Sequence, residues 1–136
     1  MIPETGTVVA HPWLCDVMGH LNARHIYAAF DDAGMVLLNS LGFFNVAGPH
    51  EGSGWADVRA EVDFSREVPV GTVLRVRSQI TRIGRTSFTQ RHELISAYDT
   101  RHASALVTTV HFDLAARKAI ALPATFSAAA TPWCAD

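Results

Sequence analysis

The chain has 136 residues, of which 49% are hydrophobic and 18% charged, with a formal net charge of -2. That length accommodates one domain, expected over 1–136, with enough interior for a real core. Near-neutral charge without a basic cluster excludes a nucleic-acid footprint, and no run of about 18 apolar residues is present to cross a membrane.

The charged share is below the usual quarter or so, which predicts that part of the surface is covered by further copies, as a homodimer or homotetramer. Cys15 and Cys134 lack framework spacing, as expected of reduced thiols in a cytoplasmic protein. The segment from Met1 to Ala10 has Glu4 and no basic region, unlike a secretory signal.

Thr7-Val8-Val9-Ala10 predicts a short strand ending before Pro12. Ile26, Tyr27, Phe30, Ala33, Gly34, Leu37, Leu38 and Leu41 recur at helical spacing, giving one apolar stripe of about four turns. Asn22 is the expected N-cap and Gly42 the expected stop. Gly34 on that stripe costs about 1 kcal/mol against alanine, which predicts close approach to another backbone, that of a sheet around the helix. Residues 43–54 read as a loop, with Phe43-Phe44 as an apolar cover for a pocket.

From Trp55 the period changes to two. Val58, Ala60, Val62 and Phe64 alternate with polar residues as a half-buried strand should, and Leu74, Val76, Ser78 and Ile80 repeat the pattern after a Pro69-Val70-Gly71 turn. Ser87–Ser96 reads as the next strand, Tyr98-Asp99-Thr100 as a turn, and Ala103–Leu114 as the last strand. The tail over 122–136 is either a loose end or a packing arm. The fold class is therefore α+β, a long central helix wrapped by a curved antiparallel β-sheet.

The chemistry concentrates in Asp16-Val17-Met18-Gly19-His20-Leu21-Asn22, immediately ahead of the helix. An acid there faces unpaired N–H groups and the positive helix end, and is expected to stay ionised. The same pattern also suits a turn followed by a cap. Trp13 either lines the mouth of this site or packs in the core, the core being the expectation. Asp31 lies near the edge of the helical stripe, whereas Asp32 points away from it.

Element order and motif together resemble the hotdog-fold acyl-CoA thioesterases of the 4-hydroxybenzoyl-CoA thioesterase type. In that family an Asp-x-x-Gly segment, often continuing His-x-Asn, precedes the central helix. Gly84-Arg85-Thr86-Ser87-Phe88-Thr89-Gln90-Arg91-His92 is similar to the strand that meets CoA, and Pro69–Leu74 to the entry to the third strand. The resemblance covers residues 5–115. It implies that Asp16 is nucleophile or general base and that the Ala23 N–H polarises the thioester carbonyl, with His20 or Asn22 orienting water or substrate. It also implies that Arg85, Thr86 and Ser87 hold the nucleotide part of an acyl-CoA bound across subunits, with no cofactor other than the CoA of the substrate. A branch of the fold carries its acid within the helix, where Asp31 is the reserve candidate. Ala23 and Ile26 depart from the common asparagine and tyrosine, which bears on the acyl pocket. Pro12-Trp13-x-x-Asp16 and Phe30-x-Asp32-Ala33 also resemble thioesterases associated with carnitine breakdown.

The competing readings are a non-catalytic acyl-CoA-binding domain of the same fold and a dehydratase, for which His20 is the candidate histidine. Seven histidines without a His-Glu-x-x-His pattern predict no metal site. Cys15 beside Asp16 is expected to be a buried, inert thiol, because the carboxylate disfavours its thiolate.

Overall fold

Period-two segments pair into one antiparallel sheet in the computed structural model, which describes residues 2–43 and 52–135. The strands are β1 (Glu4–Val9), β2 (Ser53–Phe64), β3 (Val73–Ile83), β4 (Ser87–Ile95), β5 (Arg101–Asp113) and the two-residue β6 (Lys118–Ala119). Their order is β1-β3-β4-β5-β2, with β6 also on β5. Against the curled sheet lies α1 (Ala23–Ser40), an 18-residue helix about 27 Å long. This is the wrapped-helix arrangement expected from the sequence.

The ends of α1 fall where the sequence puts them. Asn22 accepts the Arg24 N–H on its side chain at 3.1 Å, satisfying one orphan donor of the first turn. Gly42 has φ +82, a left-handed conformation that suits glycine just beyond a helix end. The inward stripe of α1 buries Ile26, Phe30, Ala33, Leu37 and Leu38. The helix's N-terminal half packs with Leu21, Val68, Leu74 and Val76. Its C-terminal half packs with Ile80, Phe88 and Phe126. Each large side chain so buried contributes roughly 1.5–3 kcal/mol.

The tail resolves as a packing arm. A short helix α2 (Phe126–Ala130) puts Phe126 and Ala130 in the interior, with the Phe126 ring 4.9 Å from that of Phe88.

Four expectations need correction. β2 is not half-buried on one face: Val58 is 62% and Phe64 56% exposed, Val58 standing where the register against β5 shifts between Asp57 and Arg59 and interrupts the alternation, and Phe64 at the strand's last position. The strand also begins two residues before Trp55. Trp13 is not in the core; it is 73% exposed and stacks on His11 with centroids 4.3 Å apart. Gly34 does face the sheet, but what approaches it is the Gln90 side chain, 3.4 Å from where a Cβ would stand, not backbone. Of the predicted loop over 43–54, residues 44–51, including Phe44, lie outside the described residues, while Phe43 is buried. Cys15, expected to be buried, is only half-buried, with its thiol directed at the His11 carbonyl at 3.3 Å, and neither cysteine forms a disulfide.

Candidate active site

The Asp16 motif folds into a miniature hairpin docked on the start of α1. Asp16 N–H donates to the His20 carbonyl at 2.8 Å, and Gly19 N–H returns to the Asp16 carbonyl at 3.0 Å. Gly19 at φ +78 takes the left-handed position the reversal requires. The Asp16 carboxylate is oriented by its own turn: Oδ1 accepts the Met18 N–H at 2.9 Å and the His20 N–H at 3.2 Å. Both bonds fall on one oxygen, which leaves Oδ2 for an incoming group. The first helical N–H groups are therefore not spent on Asp16, and that of Arg24, the second helical residue, is answered by Asn22.

A second segment fixes the hairpin from the far side. Leu21 N–H donates to Val68 O at 2.8 Å and Val70 N–H to Gly19 O at 3.1 Å. His20 Nε2 lies 3.4 Å from Glu67 Oε2. Between hairpin, segment and helix start opens a cleft of about 410 Å³ whose walls include Asp16, His20, Ala23, Ile26, Arg66 and Glu67. Asp16 is exposed in the single chain, yet it faces this cleft together with the first residue of α1. Ala23, at the first helical position, has no intrahelical partner for its N–H. One free carboxylate oxygen and one free backbone donor thus share a crevice.

The Arg85-Thr86-Ser87 turn stands elsewhere. Thr86 O accepts His111 N–H and Arg85 O accepts Leu122 N–H, each at 2.9 Å, which ties this turn to β5 and to the C-terminal arm. Phe88, immediately after it, belongs to the cluster around Leu37, Leu38 and Leu41, whereas Leu21 belongs to the cluster around Ile26 and Phe30. Within the chain the two motifs therefore lie toward opposite ends of α1.

Asp31 is not an isolated surface acid. It borders a second cavity, of about 220 Å³, shared with Gly34, Trp55, Asp57, Gln90 and Thr109. Burial, the Asp57 charge and the Asp32 charge, in that order, hold its carboxyl above the ordinary carboxylate value. Burial, then Asp57 and Asp31, likewise raise the Tyr27 phenol. Gln90 Nε2 donates to Thr109 Oγ1 at 2.9 Å, and that hydroxyl donates to Asp57 Oδ1 at 2.7 Å. Sequence reasoning missed Asp57, Gln90 and Thr109. The available signal was strand parity, since Gln90 falls on the inward set with Phe88 and Leu94, where an uncompensated polar residue is costly.

Among the described residues, no group of three or more His, Cys, Asp or Glu is arranged to hold a metal. No helix there is long and apolar enough to cross a membrane.

Compared with known proteins, the sequence matches the thioesterase-like superfamily over residues 9–130. No curated protein matches it. Among solved structures, it is similar to Slr0204, a 1,4-dihydroxy-2-naphthoyl-CoA thioesterase from Synechocystis, at 20% identity over 93% of each chain with a TM-score of 0.78. It is similar to SAV2348 from Staphylococcus aureus, solved in complex with CoA, at 15% identity over 98% of this chain and 85% of that one, with a TM-score of 0.82. It is also similar to PA5185 from Pseudomonas aeruginosa, at 18% identity over 100% and 99%, with a TM-score of 0.81.

Proposed function

The chain belongs to the thioesterase-like superfamily, and from that premise we propose that it hydrolyses an acyl-CoA thioester to the free acid and CoA, with Asp16 as the reacting carboxylate. The observation that carries this reading is the shared cleft of Asp16 and Ala23. A thioester carbonyl seated there meets a backbone donor for its oxygen and a carboxylate oxygen for its carbon, or for a water held between them. In the covalent route, Asp16 Oδ2 bonds to the carbonyl carbon, the C–S bond breaks, CoA leaves as the thiol after protonation, and water then cleaves the mixed anhydride. In the general-base route, Asp16 takes a proton from water as that water adds to the same carbon. Either way the Ala23 N–H meets the developing oxyanion, a contribution on the order of 3 kcal/mol. The side chain at that position is immaterial to a backbone donor. His20, held by Glu67, flanks the attacking group, while Asn22 keeps the helix start in place.

The remainder of the CoA site comes, in this proposal, from a second copy. Arg85, Thr86 and Ser87 are too far along α1 to serve the Asp16 of their own chain, so phosphate recognition at those residues calls for an assembly with its helices opposed. Two features support a partner: the outer edge of the 12-residue β2 carries no strand among the described residues, and it exposes Val58 and Phe64. Long apolar edges of this kind are templates for pairing. The SAV2348 complex with CoA supports the ligand class.

Thiol release from a panel of acyl-CoAs, with Asp16→Asn and Asp31→Asn beside the parent, tests the assignment. Loss of turnover in Asp16→Asn is expected. Full turnover in Asp16→Asn with loss in Asp31→Asn would transfer the reaction to the helix acid. CoA binding without cleavage of any thioester would replace the hydrolase with a binding domain.

A further inference from the structure

The segment that carries the Asp16 hairpin has little interior of its own. Over residues 65–70 only Val68 is buried, and the chain runs without helix or strand from the end of β2 to Val68. An exposed, irregular stretch of this kind takes its shape from the partners of its backbone groups. Three of those groups go to one residue. The His102 carbonyl accepts the Ser65 N–H at 2.9 Å and the Arg66 N–H at 3.1 Å, and the His102 ring meets the Glu67 carbonyl through Nδ1 at 2.9 Å.

A fault in the strand pairing puts that ring there. β4 and β5 pair at Leu94 and Ala103, then at Ile95 and Arg101, so His102 is the extra residue of a β-bulge, a device that re-aims a side chain. His102 and Ala103 are both buried, where strict alternation would turn one of them outward. Only 4% of His102 is exposed. A carbonyl oxygen accepts and cannot donate, so Nδ1 carries the proton toward Glu67. Nε2 faces the Ser96 hydroxyl at 2.8 Å, and this second bond fixes the plane of the ring.

On its other side the same segment grips the hairpin. Val68 O accepts the Leu21 N–H, Val70 N–H donates to Gly19 O, and Glu67 Oε2 lies 3.4 Å from His20 Nε2. We propose that His102 is a positioning residue for the reacting carboxylate. Through the Glu67 peptide it fixes the peptides of Val68 and Val70, and with them the hairpin whose Met18 and His20 N–H groups aim Asp16. The proposal rests on the reading of Asp16 as the reacting group. His102 touches no substrate, and its effect is one of distance: a misplacement of about 1 Å at a reacting group costs on the order of 10²-fold in rate.

His102→Asn and His102→Gln separate the donor from the bulk of the ring. The Asn amide nitrogen falls where Nδ1 stands and keeps a donor for the Glu67 carbonyl, whereas the longer Gln amide reaches toward Ser96 instead. Turnover of acyl-CoAs is measured at a temperature where circular dichroism shows both variants folded. His102→Gln should lower kcat by about 10²-fold and kcat/KM equally, with KM unchanged, and His102→Asn should recover most of the parent kcat. A purely structural role would lower Tm without separating the two variants in kcat, so equal kcat in both overturns the proposal. A second measurement needs no turnover: the Leu21 and Val70 amides, both bonded between hairpin and segment, should exchange with deuterium about tenfold faster in His102→Gln than in His102→Asn. That difference in a protein that cleaves no thioester would refute the hydrolase and leave His102 as the residue that sets the hairpin. Thioester cleavage with neither difference would do the reverse.

Discussion

Ser78 Oγ lies 2.6 Å from His92 Nδ1, and neither side chain has any exposed surface. Thr5 extends the chain, its hydroxyl 2.7 Å from that of Ser78, which stitches β1 to β3 and β4 through polar atoms inside the sheet's inner face. On the other side of the imidazole, Nε2 is buried with no partner, and the ring stacks 6.1 Å from Phe30. The histidine is held in its neutral form by an apolar wall.

That burial lowers the His92 pKa from the ordinary 6.5 to about 4. Below pH 6.5 the unfolded chain takes up a proton that the folded chain refuses, so stability rises with pH between about 4 and 6.5 and is level above. The gap is worth about 3 kcal/mol at 1.36 kcal/mol per pH unit. Urea unfolding as a function of pH should show this slope, and His92→Gln should flatten it. An unchanged slope in His92→Gln would assign the effect to other groups.

Asp16 and Gly19 form one device, since the turn that aims the carboxylate depends on the left-handed glycine. Asp16→Asn should reduce kcat by about 10²–10⁴-fold, the range for loss of a positioned acid or base, with the circular dichroism spectrum unchanged. Gly19→Ala should cost about 1–2 kcal/mol of local backbone strain, read as a modest drop in Tm and a larger fall in kcat. A Gly19→Ala enzyme with parental kcat would mean that the carboxylate's aim is not set by this turn.

The C-terminal arm supplies an aromatic plug. Phe126 is 1% exposed and its ring meets those of Phe43, Trp55 and Phe88 at 5.5, 5.9 and 4.9 Å. Phe126→Ala should destabilise the protein by about 3–5 kcal/mol, measurable by thermal unfolding. A change under 1 kcal/mol would mean that the arm is dispensable to the core.

Association along β2 is open to direct test. Val58→Lys puts a charge on the exposed strand, where like charges brought face to face repel across a paired edge. Light scattering should give a multiple of the monomer mass for the parent and a shift toward monomer for Val58→Lys, with turnover falling in parallel. An unaltered mass would locate the assembly on another surface.

Local chemistry made α1 legible before any fold was known. Its stripe, the Asn22 cap and the Gly42 stop each rest on neighbours within a turn or two, and all three fall where the pattern puts them. Strand positions were legible for the same reason. The exposure of β2 was not: Val58 and Phe64 alternate as though one face were buried, but the pairing with β5 shifts register at Val58, a feature of tertiary pairing that the alternation does not record. Trp13 misled likewise, because a large apolar ring reads as core unless a surface partner such as His11 is known to lie beneath it.

What the amino-acid order determined alone was the helix with its caps, the strand set and the acid-bearing turn of residues 16–20. All are products of short-range sterics and hydrogen bonding. Tertiary packing decided the rest. It set Asp16 and Ala23 on one cleft, drew the Arg85 turn toward the other end of the helix, and gathered Asp31, Asp57 and Gln90 around a single hollow. Asp57 and Gln90 lie 33 residues apart in the chain, and their pairing depends on Thr109, contributed by the strand between their own two strands. No local periodicity records which strand lies between which, so that hollow exists only once the sheet has closed over the helix.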